Sequence, residues 1–190
     1  ITDVGYKILC KSIVVATNTP INNLFVIHTK QSAYRTYAIG MKIPKGSVPK
    51  ALYWDTLENY HYIRVQKNEL DHDTDILIIG GGEDHKTGQD HHSEDHFDRL
   101  EAWTKQRFPI AREMIYRWSG QVLEPVDGLA FLGHNPLDRN NVYVITGDSG
   151  NGMTHCTIGA MLITDQIMKR RNAWEDLYSP SRVNFKAVSK

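Results

Sequence analysis

The chain lacks the features that would set it apart from ordinary globular proteins. Its 190 residues include only two cysteines, Cys10 and Cys156, and its 22 basic side chains equal its 22 acidic ones. Two distant cysteines without a partner motif favour reduced thiols over a disulfide framework. Balanced charge gives no general attraction to nucleic acid or anionic membrane, and no apolar run reaches the ~20 residues that span a bilayer. We therefore expect a cytoplasmic protein with no nucleic-acid or membrane partner.

Familiar catalytic and nucleotide-binding signatures are also missing. No segment carries the dinucleotide-binding GxGxxG spacing or the phosphate-binding GxxxxGK[ST] pattern. Ser149 lies in GDSGNG, which narrowly misses the hydrolase elbow GxSxG because Asn151 stands where the last glycine belongs. His155 follows closely, but a helical neighbour is seldom the base of a catalytic triad. The sequence thus excludes a complete dinucleotide-binding loop and disfavours a serine hydrolase.

The most informative stretch that is present runs from Asn141 to Asp165. A β-branched and aromatic run at 142–145 predicts a strand, and the glycines at 147, 150 and 152 predict a sharp turn. Apolar residues then recur at roughly helical spacing and predict a helix: Met153, Cys156, Ala160, Met161, Ile163 and Ile167. Unpaired N–H groups at such a helix start suit an anionic or polarised cofactor.

The rest of the chain favours one parallel strand and a β-rich middle. The continuous apolar run Ile13–Ala16 is typical of a strand buried on both faces of a parallel sheet. Residues 34–41, 51–54, 60–65 and 75–79 read as strands of an antiparallel sheet. A following helix is expected to turn Phe97, Leu100, Trp103 and Phe108 towards the core.

One predicted strand places a guanidinium beside two phenols. Tyr60, Tyr62 and Arg64 alternate along the chain, so they share one face of the strand. Such a face can hold a carboxylate or a flavin carbonyl. It is equally typical of an exposed sheet face with ordinary aromatic packing. Tyr62 and Arg64 are our candidates for binding a substrate.

A histidine-rich loop raises the alternative of a metal site. Its ligand types suit zinc or iron: His85, His91, His92, His96, Asp84, Asp90 and Asp95. The spacing matches no HExxH or HxH pattern, and flexible acidic loops of this kind are usually solvated surface. A Rieske cluster needs paired Cys and His ligands, which the isolated Cys10 and Cys156 cannot supply. We predict no metal site.

Four segments together resemble one family. SIVVATN at Ser12–Asn18, EPVDGLAFLG at Glu124–Gly133, the stretch from Asn141 to Asp165, and NAWEDLYSPSR ending at Arg182 follow each other in that family's order. The chain resembles the C-terminal half of the flavin-dependent amine and D-amino-acid oxidoreductases, the superfamily of D-amino-acid oxidase, glycine oxidase and sarcosine oxidase. It is most similar to members that carry an additional Rieske domain.

The resemblance implies a mixed α+β fold. Residues 23–124 would form an antiparallel, substrate-domain-like sheet with flanking helices. Residues 1–22 and 125–190 would form the C-terminal portion of an FAD-binding, Rossmann-like domain that lacks its N-terminal βαβ unit. The absence of an initiator methionine at Ile1 also leads us to expect a processed or excised segment.

The resemblance further implies an FAD-dependent oxidoreductase that oxidises a C–N bond of an amine or amino-acid-like substrate. Carried over by position, the residues that contact FAD are Gly147, Asp148, Ser149, Gly150, Asn151, Gly152, Met153 and Thr154. Their amides would stabilise negative charge on the reduced flavin ring. No catalytic residue is identified.

Three departures from the family qualify this expectation. The Rossmann unit that grips the adenosine and pyrophosphate is missing, so the chain alone should bind FAD weakly or not at all and be inactive. Asn18 replaces the glycine of the frequent ATG motif. The arginine that amino-acid oxidases place shortly before the DG pair to bind a substrate carboxylate is also missing, and an α-amino acid is in doubt as the substrate unless Arg64 or Arg117 substitutes.

The missing N-terminal half leads us to expect one of two binding partners for this chain. The strands at Ile13 and Val142 should pair either with an N-terminal FAD-binding half or, through their unpaired edges, with a second copy of the chain. The alternative to a flavoenzyme is a non-catalytic binding or assembly module that keeps the scaffold.

Overall fold

A computed structural model describes residues 2–21, 27–90 and 92–183. The strands are β1 (Ile13–Val15), β2 (Gln31–Pro44), β3 (Leu52–Trp54), β4 (His61–Lys67), β5 (Thr74–Gly81), β6 (His85–Lys86), β7 (Met114–Pro125), β8 (Phe131–His134) and β9 (Val142–Thr146). The helices are α1 (Ser93–Arg107), α2 (Gly152–Ile167) and α3 (Glu175–Tyr178). The candidate ligand His91 and the tail beyond Val183 lie outside the described residues. The chain divides into two compact units, Ile1–Ser32 with Val122–Lys190, and Ala33–Gln121.

The first unit contains a three-stranded sheet in the order β1-β9-β8. β1 and β9 are parallel, with Ile13 opposite Val142, and β8 and β9 are antiparallel. Helix α2 packs closely on this sheet because Gly159 has no side chain: a Cβ there would lie 3.0 Å from Ile145 Cδ1 and 3.2 Å from Leu132 Cδ2. The parallel pairing is as the apolar runs predicted.

The prediction that β1 is buried on both faces is wrong. Ile13 is 47% exposed and Val14 is 44% exposed, whereas Val15 is buried. Among the described residues β1 pairs only with β9, so it forms the edge of its sheet. An edge strand has a neighbouring strand on one side only. The apolar composition of β1 is typical of a strand that has a neighbour on both sides.

Helix α2 forms where the apolar spacing predicted a helix, and most of the apolar residues that gave this spacing are exposed. Of them only Ile163 is buried; Met153 is 90% exposed, and Cys156, Ala160, Met161 and Ile167 are exposed as well. The face that packs on the sheet is formed by His155, Gly159, Leu162 and Ile163. A helix that is apolar around most of its circumference does not reveal which face is covered, since such a helix is normally covered on both sides.

The second unit contains a six-stranded sheet. Its main path is β3-β4-β5-β2-β6, its assigned pairs along this path are antiparallel, and β7 pairs with β2. One face of this sheet packs against α1 around buried Ile39, Met41, Leu77 and Leu100. On α1, Phe97 and Leu100 are buried and Trp103 is partly buried, as is Phe108 directly after the helix, in agreement with the prediction. The fold is mixed α+β with an antiparallel sheet, in agreement with the fold class expected from the sequence.

No helix in the described part of the chain combines the length and the apolar character that crossing a membrane requires.

Candidate functional site

The turn between β9 and α2 is built from left-handed backbone. Gly147, Ser149 and Gly150 have φ values of 71°, 49° and 71°. Gly147 is also closely surrounded, because a Cβ there would lie 2.7 Å from Gln31 Oε1 and 2.8 Å from Pro125 Cγ. Only glycine meets both demands without strain. Gly150, in contrast, has nothing within 4 Å of its Cβ position, so the turn is open to a ligand there.

Hydrogen bonds fix the turn in this conformation. The Ser149 amide donates to Leu123 O at 3.2 Å, and its hydroxyl donates to the carboxylate of Glu124. The carbonyl oxygen of Asp148 accepts the Asn151 amide at 2.8 Å and lies 2.9 Å from His155 Nδ1. Ser149 and His155 therefore have separate structural partners and do not form a nucleophile–base pair.

The first turn of α2 offers unpaired donors. In the described part of the chain, no acceptor is recorded for the amides of Gly152, Met153 and Thr154. Met153 and Thr154 are exposed, and Gly152 is half-buried next to the Asp148 carboxylate. Free N–H groups and the positive end of the helix dipole attract an anion or a polarised carbonyl group. Together with the open space at Gly150, they fit the carbonyl edge of a flavin ring.

The second unit places Tyr62 and Arg64 on the exposed face of β4, with the strand's His61 and Ile63 buried on the other. The Tyr62 ring lies flat over Gly80, since a Cβ on that glycine would be 2.4 Å from Tyr62 Oη. Burial raises the pKa of Tyr62, as do Asp84 and Tyr60, and Arg64 opposes the shift. Tyr62 is thus a neutral phenol at neutral pH.

The two arginines considered as carboxylate ligands have different surroundings. Arg117 donates to the carboxylate of Glu94 and lies over the Phe97 ring at 5.5 Å, so its charge is already engaged. Arg64 makes no recorded hydrogen bond or ion pair to a described residue. Of the two, Arg64 is available to an anionic ligand.

Histidines and acids of the polar loop come together as a hydrogen-bonded stack. The rings of Tyr37, His96 and His85 are stacked, with centroids 4.6 Å apart in both contacts of His96. His96 Nδ1 lies 3.2 Å from Glu83 and its Nε2 lies 3.0 Å from Asp90. No group of three or more potential ligands among the described residues is arranged to hold a metal ion.

The sequence analysis named Asp84 only as a possible metal ligand and did not reveal its burial. Its Oδ1 is buried and has no hydrogen-bond partner in the described part of the chain. Burial raises the pKa of Asp84, and the Thr36 hydroxyl, His61 and His85 oppose the shift. No sequence signal marks this residue, because its burial depends on strands that are distant along the chain.

Comparison with known proteins places these features in a family. Residues 1–166 match the family of FAD-dependent oxidoreductases designated DAO. The chain is 29% identical over 156 residues to YhfW of Bacillus subtilis (strain 168), whose name describes it as a Rieske 2Fe-2S iron-sulfur protein; the match covers 80% of this chain and 28% of YhfW.

Solved structures show the same fold at low identity. Glycine oxidase from Geobacillus kaustophilus is 22% identical with a TM-score of 0.58, covering 80% of this chain and 40% of that one. Glycine oxidase from Bacillus cereus ATCC 14579 is 16% identical with a TM-score of 0.62, covering 86% and 44%. L-proline dehydrogenase from P. horikoshii is 16% identical with a TM-score of 0.60, covering 80% and 40%. The chain spans less than half the length of these relatives.

Proposed function

Because this chain belongs to the DAO family of FAD-dependent oxidoreductases, we propose that it forms the flavin-ring end of an FAD site and the substrate-binding sheet of an enzyme that oxidises a C–N bond. The substrate is an amine or an amino-acid-like compound. FAD, when bound, accepts the two electrons that leave the substrate carbon next to nitrogen. Acting alone, the chain is inactive and binds FAD weakly.

The unpaired amides at the start of α2 carry this proposal. Gly152, Met153 and Thr154 present three donors, and Gly150 leaves room for a planar ring to approach the backbone. Residues 147–151 shape the approach, since the Glu124 carboxylate and the Leu123 carbonyl hold Ser149 in left-handed geometry. Preorganised donors of this kind stabilise negative charge that develops during a reaction.

Tyr62 and Arg64 form the substrate side of the proposal. The Arg64 guanidinium attracts an anionic group, and the Tyr62 phenol, kept neutral by its raised pKa, donates or accepts a hydrogen bond beside it. They stand on the face of the sheet opposite the core that packs on α1. Their role is to orient the substrate.

A GxGxxG-containing half is the partner that best fits the first unit. The free edge of β1 offers backbone groups to a further parallel strand, and the exposed apolar face of α2 offers an area to cover. Such an edge beside an apolar helix is the surface that a βαβ unit buries. That half supplies the grip on the pyrophosphate. Free, exposed thiols at Cys10 and Cys156 support a cytoplasmic location.

Co-expression with a GxGxxG-containing half tests the assignment. We expect a yellow complex with flavin absorbance, on the order of one flavin per complex, as one cofactor site requires. A variant with Gly152→Pro removes one amide at the helix start and should lower the flavin content. A folded complex that stays colourless with added FAD would refute the proposal.

The exposed edge of β1 also favours a second candidate, a non-catalytic module that assembles through this edge. In that case two copies would pair their β1 strands without any flavin. Sedimentation of the purified chain separates the two candidates. A dimer that persists in the presence of a GxGxxG-containing half, with no flavin uptake, would favour assembly over catalysis.

A further inference from the structure

A buried carboxylate oxygen without a partner marks one position on the sheet of the second unit. Oδ1 of Asp84 is shielded from solvent, and no described residue donates a hydrogen bond to it. Its backbone is held in place, since the Asn59 side-chain amide donates to Asp84 O at 3.2 Å. Buried polar atoms in proteins nearly always have a partner. A fixed acceptor of this kind points to a donor that the described residues do not supply.

Strand register places this carboxylate on the open face of the sheet. Arg35 of β2 lies opposite His85 of β6, so the same register carried one residue beyond β6 sets Asp84 opposite Thr36, whose hydroxyl hydrogen-bonds to the Asp84 carboxyl group. Directly opposed residues of antiparallel strands project from the same face. Thr36 precedes buried Tyr37 in the strand and therefore lies on the face opposite the core. Asp84, opposite Thr36, lies on this face as well.

The same face carries Tyr62. Its ring covers Gly80, which pairs with Ala38 of β2, and Ala38 is two residues from Thr36 along that strand. The Asp84 carboxylate is also close enough to raise the pKa of Tyr62. The open face thus combines an orphan carboxylate oxygen, a neutral phenol and, two residues beyond Tyr62, the Arg64 guanidinium.

We propose that Asp84 binds the protonated amino group of the substrate on this open face, with the Tyr62 hydroxyl beside it. The inference rests on the proposed function, because it names the group that recognises the amine. An ammonium group has three N–H donors and suits a carboxylate next to a hydroxyl acceptor. Arg64 repels a cation, so the amine is directed to Asp84 and any anionic group of the substrate to Arg64.

Ionisation of Asp84 sets the pH range of this binding. Burial raises the pKa of the carboxyl, Glu83 raises it further, and Thr36, His61 and His85 oppose the shift. Tyr60 and Arg64 lie on the same face, and Tyr62, whose pKa burial raises, is a neutral phenol there. Amine affinity should therefore increase as the pH rises through the pKa of Asp84, and it should fall again where the amine itself loses its proton.

Carbon-13 NMR of the chain, labelled at aspartate carboxyl carbons, tests the proposal with butylammonium chloride as the probe. We expect a saturable shift of the Asp84 resonance at pH 8, with an affinity for the amine that weakens progressively as the pH is lowered through the pKa of Asp84. Sodium chloride at equal concentration should not reproduce the shift. Asp84→Asn should abolish amine binding, and Asp73→Asn, at an exposed position in the same unit, should leave it unchanged.

A second variant covers the case in which Asp84→Asn does not fold. Tyr62→Phe keeps the ring over Gly80 and removes only the hydroxyl, so it should fold and bind butylammonium two- to tenfold more weakly. A folded chain whose Asp84 resonance is unchanged by the amine at pH 8 would overturn the proposal, as would equal binding by the Asp84→Asn variant. The experiment needs no flavin. Amine binding without FAD uptake in the complex would therefore refute only the flavin assignment. FAD uptake in the complex without amine binding would refute only the role of Asp84.

Discussion

Arg182 forms a bidentate ion pair with both carboxylate oxygens of Asp127, which lies 55 residues earlier in the chain. Its Nε donates to Oδ2 at 2.7 Å and its Nη2 donates to Oδ1 at 2.8 Å. The remaining guanidinium donors reach backbone carbonyls, including Ala130 O at 2.9 Å, and the group lies 4.0 Å from the centre of the Phe131 ring. Lys30 holds the same tail by donating to the carbonyl oxygens of Pro180 and Arg182. The segment after α3 is therefore tied to the turn that precedes β8.

Replacing Arg182 should destabilise the chain strongly. Arg182→Met leaves the Asp127 carboxylate unpaired at a site where both side chains are almost buried, 13% and 11% exposed. Loss of one partner from a buried ion pair costs about 3–5 kcal/mol. Urea unfolding of the purified chain measures the loss. The control is Arg170→Met, which breaks the exposed pair with Asp165 and should cost below about 1 kcal/mol. Equal losses for the two variants would contradict the structure.

The same pair predicts a pH dependence of stability. Hydrogen bonds from Arg182 hold the pKa of Asp127 below its ordinary value, against the opposing effect of burial. A carboxyl group with a depressed pKa in the folded state stabilises the fold above its unfolded pKa of about 4, and this contribution is lost as the pH falls through the folded value.

Asp127→Asn removes this contribution at every pH. The stability difference between the parent chain and the variant should be largest at pH 7 and should shrink towards pH 3. Urea midpoints at several pH values give the curve. A stability difference that stays constant or grows on acidification would show that Arg182 does not lower the pKa of Asp127 in the folded state.

Local patterns in the sequence predicted the elements well. Alternation along the chain correctly predicted that Tyr62 and Arg64 share one face of β4, and the β-branched run at 142–145 correctly predicted β9. These predictions succeed because a strand's two faces follow from its own residues, whatever it packs against. The glycine-rich turn could be predicted from its own residues as well, because the left-handed backbone at Gly147 and Gly150 favours glycine.

Contacts between distant segments could not be predicted in the same way. The centroids of the stacked Trp103 and His61 rings are 3.8 Å apart, and the Asp84 carboxyl group meets the Thr36 hydroxyl from a strand that precedes it by nearly 50 residues. The sequence pattern of α2 likewise does not tell which apolar face the sheet covers. Such features depend on which segments meet, and amino-acid periodicity does not carry that information.

Two glycines of the turn between β9 and α2 should respond differently to substitution by alanine. Gly147→Ala places a Cβ 2.7 Å from Gln31 Oε1 and 2.8 Å from Pro125 Cγ in left-handed backbone. Backbone strain and overpacking together should cost about 2–4 kcal/mol. Gly150→Ala carries a similar φ in open space and should cost only the strain, about 1 kcal/mol. Urea unfolding of both variants compares these values directly. Equal stabilities would mean that the crowding at Gly147 is relieved by movement of its neighbours.

A substitution on the exposed apolar face of α2 tests whether a GxGxxG-containing half docks on this face. Met161→Glu adds a charge at a position that is 54% exposed, so the isolated chain should keep its stability within about 0.5 kcal/mol. In the complex with a GxGxxG-containing half the same charge would be buried without a partner, which is strongly unfavourable. We therefore expect loss of co-purification and of flavin absorbance. Asp98→Lys, a charge change on the exposed side of α1 in the other unit, is the matched control and should leave the complex intact. A yellow complex that forms normally with Met161→Glu would show that this face of α2 stays uncovered and that a GxGxxG-containing half docks elsewhere.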